Sequence, residues 1–173
     1  RHATIRALAG CDLEEDLGMF VVHRNPLVRL WTVVALRQLG SEKIAEFLQD
    51  SDRGIRTEAA RGIHDDFSID GAMPGLAQQL DSTNDQDANF MVRALNANFR
   101  LGGEACLNRI LKWIGDPSGK EELRLLAMRM IREWEAPHPL DKVTGRFRDF
   151  AKRQLTESDR MRIQSALRGL LGS

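Results

Sequence analysis

The residues whose chemistry could serve a function here are four histidines, two cysteines and a set of regularly spaced arginines. The histidines are His2, His23, His64 and His138. None stands in an HExxH pattern, which would set two imidazoles and a base on one helical face around zinc. None is followed by Glu, which removes the His-Glu pairs that hold iron in some helical hydroxylases. His64-Asp65-Asp66 puts an imidazole beside two carboxylates and is the best metal or acid-base candidate. The plainer reading is favoured: a histidine at a helix C-terminus, where the dipole welcomes it. Cys11 and Cys106 are too few and too far apart for a disulfide framework or a metal knuckle, and read as buried thiols. The chain has no CxxCH, no Walker motif, no GxGxxG and no GxSxG, so no motif marks a haem attachment, a phosphate cradle or a nucleophile elbow. No catalytic, metal or cofactor residue is assigned, and no cofactor is expected.

The arginines carry more pattern. Aligning Arg29 with Arg56 superimposes VRLWTVVAL on IRTEAARGI. An aliphatic residue precedes each Arg, and a capping residue, Asn25 or Asp52, stands four places before it. Arg1 and Arg124 occupy the same place in two further copies, and Ala88 takes it in another. The intervals between successive copies are 28, 27, 32 and 36 residues. Drift of this kind is usual in natural helical arrays. A row of Arg could hold phosphates. Their shared repeat position favours a structural role instead, each reaching an acidic or capping group in the adjoining turn, with Asp50, Asp52 and Asp116 as candidate partners.

The elements that position these residues are helices throughout. Residues 12–22 and 26–39 read as one pair. Asn25 caps the second, and Pro26 at its first position loses no needed hydrogen bond. Leu27, Leu30, Trp31 and Val34 form its apolar stripe, widened by Val28 and Val33, and Gly40 closes it. A short helix over 42–49 buries Ile44, Phe47 and Leu48, and Asp52 caps a helix over 53–64. Residues 70–80, 87–101 and 104–114 follow. A capping box of Ser118 and Glu121 opens helix 119–135. The spacing predicts burial of Trp31, Trp113 and Trp134. Residues 137–150 break the pattern and read as an ordered loop that buries Leu140, Val143, Phe147 and Phe150, with a bend at Gly145. Residues 151–173 hold a terminal helix, about 158–171, packed on repeats formed by 1–136. It should bury Ile163, Ala166, Leu167, Leu170 and Leu171. The fold class is therefore all-α: an α-solenoid, a right-handed superhelix of antiparallel helix pairs.

Composition bounds the partners. With 173 residues, 42% of them hydrophobic, and a formal net charge of zero, the chain is no dedicated nucleic-acid binder. Residues 141–163 hold seven Lys/Arg against four Asp/Glu, a mild surplus that reads as solvated surface. No apolar run reaches the roughly 18–20 residues that cross a bilayer, so no membrane insertion is expected. Arg1 stands inside what reads as a repeat helix, as in an excised segment of a longer protein.

The units resemble HEAT repeats in their short form. From Val28 to Phe147 the segments VRLWTVVALRQLGS, IAEFLQDSD, EAARGIHD, MPGLAQQL, VRALNANFRLGG and REWEAPHPLDKVTGRFR are similar to the HEAT region of large exported proteins of planctomycete-type bacteria. Asn96 to Gly102 and Trp134 to Gly145 carry most of that likeness. In that family a sugar-dehydrogenase-like β-propeller precedes the repeats and a haem-binding CxxCH domain follows. The resemblance implies an exported or periplasmic parent and a non-enzymatic scaffold. Its partners would be neighbouring domains of that parent or another protein. It transfers no catalytic residue. Two other readings belong to HEAT-like proteins: a lyase acting on a tetrapyrrole, for which only Cys106 and His64 are at hand, and a repair protein binding nucleic acid, which needs a basic concave face.

Overall fold

The computed structural model describes residues 17–65, 68–81, 87–117 and 119–171, with side chains to residue 168. Arg1, His2, Cys11, Asp66, Ser118 and the first part of the expected helix 12–22 lie outside the described residues. What is described is all-helical. A single antiparallel bridge, Leu140 to Phe147, is the one extended pairing among these residues. The arrangement is compatible with an α-solenoid.

Among the described residues, seven α-helices follow Val22 in chain order: α1 Pro26–Leu39, α2 Arg53–His64, α3 Met73–Gln78, α4 Ala88–Leu101, α5 Gly103–Gly115, α6 Glu121–Arg132 and α7 Glu157–Leu171. Side-chain caps fix four starts. Asn25 accepts from the Leu27 amide at 3.0 Å, Asp52 from the Gly54 and Ile55 amides at 2.7 and 3.2 Å, and Asp87 from Asn89 at 2.8 Å. Thr156 accepts from the Asp159 amide at 3.1 Å, while the Asp159 carboxylate accepts the Thr156 amide at 2.9 Å, a reciprocal box that opens α7. The segment Glu42–Gln49 is 3-10 rather than α and buries Ile44, Phe47 and Leu48. Residues 70–81 are broken into a 3-10 turn, α3 and a second 3-10 turn.

Helices α1 and α2 pack together, α4 lies against both α2 and α3, and α5 packs on α4, α6 and α7. One apolar cluster runs from Leu17 to Trp134. α4 is the most enclosed element: Phe90, Met91, Ala94, Leu95, Ala97 and Phe99 are buried, and so are Arg93, Asn96 and Asn98. The helices approach closely at Gly62, where a β-carbon would stand 2.5 Å from Ile44 Cδ1.

Some expected faces are corrected. In α1 the buried residues are Thr32, Val33, Ala35 and Leu36, while Leu27 and Trp31 are 55% and 40% exposed. This helix is apolar on nearly every side, so periodicity cannot choose its inner face. Thr32 can go inward because its hydroxyl donates to the Val28 carbonyl at 2.9 Å. α6 stops at Arg132, and Trp134, past its end, is buried. Trp113 is half-buried and Leu167 exposed. Among the described residues no helix is long and apolar enough to cross a membrane.

Candidate functional site

The repeated arginines and their surroundings come first. Arg29 makes a two-pronged ion pair with Asp50, Nε to Oδ2 at 2.7 Å and Nη2 to Oδ1 at 3.0 Å, and its Nη1 donates to the His23 carbonyl at 2.7 Å. Burial pulls the Asp50 carboxyl up, but the bonds from Arg29 and the Asp52 amide, with the charges of Arg29 and Arg56, together outweigh it and hold it below its ordinary range. Arg56 Nη1 donates to the Asp50 carbonyl at 2.7 Å. Asp50 thus joins α1 and α2, one through its side chain and one through its backbone. Both guanidinium groups reach a carbonyl six residues back along the chain. Arg124 Nε donates to the Ile114 carbonyl at 3.0 Å. The Asp52 side chain serves as the cap of α2.

A second cluster lies where α2, α4 and the segment 137–150 meet. His64 is fully buried at the end of α2. Asn96, one turn from the end of α4, donates from Nδ2 to His64 Nε2 at 2.9 Å and to Asp141 Oδ2 at 2.7 Å. An imidazole nitrogen that accepts carries no proton, so the proton sits on Nδ1 and faces Asp65 Oδ1 at 2.9 Å. Arg100 Nη2, 3.4 Å from that same nitrogen, is then a contact between donors rather than a bond. Burial is the leading influence on His64 and lowers its pKa against the pull of Asp65, so the ring is neutral. Both ring nitrogens are engaged by protein groups, which leaves this imidazole no free lone pair for a metal or a substrate proton.

Asp141 is the anion at the centre. Its side chain is fully buried. Oδ2 accepts from Arg100 Nε at 2.8 Å as well as from Asn96. Oδ1 accepts from the amides of Val143 and Thr144 at 3.0 and 2.8 Å and from the Thr144 hydroxyl at 3.0 Å. Burial alone would raise its pKa. The bonds from Arg100 and the Thr144 amide outweigh it and hold the carboxyl well below the usual range. Arg100 also donates to the His64 carbonyl at 2.6 Å, and Arg93 pairs with Asp65 at 3.0 and 2.7 Å.

This cluster, rather than apolar burial, fastens segment 137–150. Leu140 and Phe147 are 46% and 73% exposed, against the expectation that they are buried. The reason is the turn. Asp141 accepts Gly145 N–H through its carbonyl at 2.9 Å, and its own N–H donates to Arg146 at 2.8 Å, which leaves Leu140 and Phe147 paired on the outer face. Gly145 takes φ +67°, a bend that a β-carbon resists. Lys142 pairs with Glu133. Phe150 turns inward and meets Phe99 edge to face at 5.9 Å. Arg153 closes the seam: its guanidinium lies 5.2 Å from the Phe99 ring and 4.7 Å from the Trp134 ring, and Nη2 donates to the Phe99 carbonyl at 2.6 Å. Gly102, at φ +69°, leaves the room; a β-carbon there would stand 2.8 Å from Arg153 Nε.

Of the residues singled out in the sequence, the structure brings His64 and Asp65 together with Asn96, Arg100 and Asp141, which stand in the two stretches that carry the family likeness without being marked as site residues, and with Arg93 and Arg148, which no motif marked. A signal for Asp141 existed: Asp followed by Thr and Gly at three and four residues is turn chemistry. Asn96 interrupts an apolar stripe. Cys106 is buried, and burial raises its pKa, so it is held as a neutral thiol. Among the described residues, no group of three His, Cys, Asp or Glu side chains could hold a metal ion. No family model, curated protein or solved structure matches this chain.

Proposed function

We propose that this chain is a non-enzymatic HEAT-type scaffold, an interaction module within an exported dehydrogenase or electron-transfer protein. The helix pairs stack as a right-handed superhelix. The observation that carries the reading is where the polar groups go. Arg29 and Arg56 bind Asp50 and backbone carbonyls between copies, and His64 spends both ring nitrogens on Asn96 and Asp65. Side chains committed to one another in this way hold helices in register. The partners are neighbouring domains of the parent or another protein, and the parent's exported location rests on the sequence resemblance alone.

Calorimetric titration of the purified segment with the parent's propeller and haem domains tests it. Saturable one-to-one binding to either domain is expected. Turnover of a tetrapyrrole, release of an alkylated base from DNA, or no heat with either domain would contradict it.

A further inference from the structure

Within the cluster, three guanidinium groups, Arg93, Arg100 and Arg148, face two carboxylates, Asp65 and Asp141, around a neutral imidazole. Arg93 and Arg100 take those carboxylates at 2.7 and 2.8 Å. Arg148 is left over. Its Nε is 3.8 Å from Asp141 and buried without a hydrogen-bond partner. Its other nitrogens make only long contacts, 3.3 Å to the Ser68 hydroxyl and 3.5 Å to the His64 carbonyl. The guanidinium is held in place by the backbone of its own segment, whose Arg148 amide donates to the Pro139 carbonyl at 2.7 Å, and its weakly bonded Nη groups are the donors left for a ligand.

That guanidinium lines a cleft of about 490 Å³ together with Arg100, Leu101, Met73, Phe147, Phe150, Asp70 and Asp149. The lining includes exposed apolar surface, Phe147 at 73% and Leu101 at 43%. The lining also includes the exposed carboxylates of Asp70 and Asp149; among the described residues neither is paired with Arg148. A bare multivalent anion would meet those carboxylates. A peptide C-terminus matches all three features: one carboxylate for the arginine fork, backbone N–H groups for the rim acids, and a last side chain for the apolar wall.

We propose that this cleft binds the C-terminal carboxylate and large apolar last side chain of a partner polypeptide. The inference rests on the reading of the chain as an interaction module and names the chemistry of one partner. Arg148 supplies the charged fork, and Phe147 and Leu101 supply the platform.

The test is a nitrogen-15 NMR titration of the whole 173-residue chain with N-acetyl-phenylalanine, its carboxamide and inorganic phosphate. Saturable shifts at the Arg148 Nε–H and the Phe147 and Leu101 amides are expected with the free acid, at least tenfold weaker with the carboxamide, and absent with phosphate. Arg148→Gln should abolish them, and the exposed changes Phe147→Ser and Leu101→Ser should weaken them severalfold without touching the cluster. Equal binding of acid and carboxamide, the same shifts with phosphate, or indifference to Phe147→Ser and Leu101→Ser would overturn the proposal, even if Arg148→Gln fails to fold. Binding of the parent's domains without these shifts removes this cleft and keeps the scaffold. Shifts without domain binding do the reverse.

Discussion

Replacing Asp141 by Asn keeps the size of the side chain and removes its charge. The Asn carbonyl can still accept from Val143 and Thr144. Its amide then faces Arg100 Nε and the Asn96 amide, which stand at 2.8 and 2.7 Å from the present oxygen, donor against donor. Arg100 is only 7% exposed and would lose its counter-ion inside the protein. Breaking a buried pair from one side costs about 3–5 kcal/mol, because the remaining charge is uncompensated. That is a large share of the roughly 5–15 kcal/mol that holds a domain folded. Two readouts separate how the loss appears. If the seam unfolds with the rest, the urea midpoint falls at unchanged slope. If segment 137–150 opens alone, trypsin cuts at Lys142 and Arg146 much faster while the midpoint moves little. A variant with wild-type midpoint and wild-type cleavage rate would refute the idea that Asp141 fastens the segment.

The pH dependence follows from signs. His64 has a lowered pKa in the fold, so the unfolded chain takes the proton first, and stability falls as pH drops below 6.5. That slope, at most about 1.4 kcal/mol per pH unit for one proton, should be missing in His64→Gln. Asp141 and Asp65 are lowered too; their contribution is full above 3.8 and is lost as pH falls further. Acid unfolding followed by circular dichroism checks both. Gly62→Ala should destabilise despite a helix-propensity gain of about 1 kcal/mol, because overpacking costs about 1–3 kcal/mol and Ile44, whose Cδ1 the new β-carbon would meet at 2.5 Å, is fully buried. Unchanged or raised stability in urea would contradict that. Arg153→Met keeps the stem and removes the charge above Trp134; loss of the stacked cation and its carbonyl bond should cost about 2 kcal/mol and change Trp fluorescence, and a neutral result would show that the stack is incidental.

Helix positions were legible where local chemistry fixes them. Asn25-Pro26 and Asp52 mark two starts because a capping oxygen and a helical repeat leave a plain signature, and Gly40 closes α1. The inner face of α1 was not legible, since Val28, Leu30, Trp31, Val33 and Val34 surround the helix and the choice is made by α2 and the Glu42–Gln49 segment. The site was less legible still. His64 and Asp65 stand out because they are adjacent. Asp141 lies 45 residues from Asn96 and 41 from Arg100, and only the fold brings them within bonding reach. The same long-range bonds reversed the expected burial of Leu140 and Phe147: a turn anchored by a buried carboxylate has no need of its apolar residues for attachment.

Hydrogen exchange on the free segment tests most directly whether polar bonds lock 137–150 into the helical scaffold. The amides of Asp141, Thr144, Gly145 and Arg148 all donate to protein oxygens. The account has them exchanging as slowly as the α4 core, through the same global opening, and has that protection lost in Asp141→Asn. Exchange at unfolded-chain rates in the wild-type protein would show a loose connector and remove the seam on which the account stands.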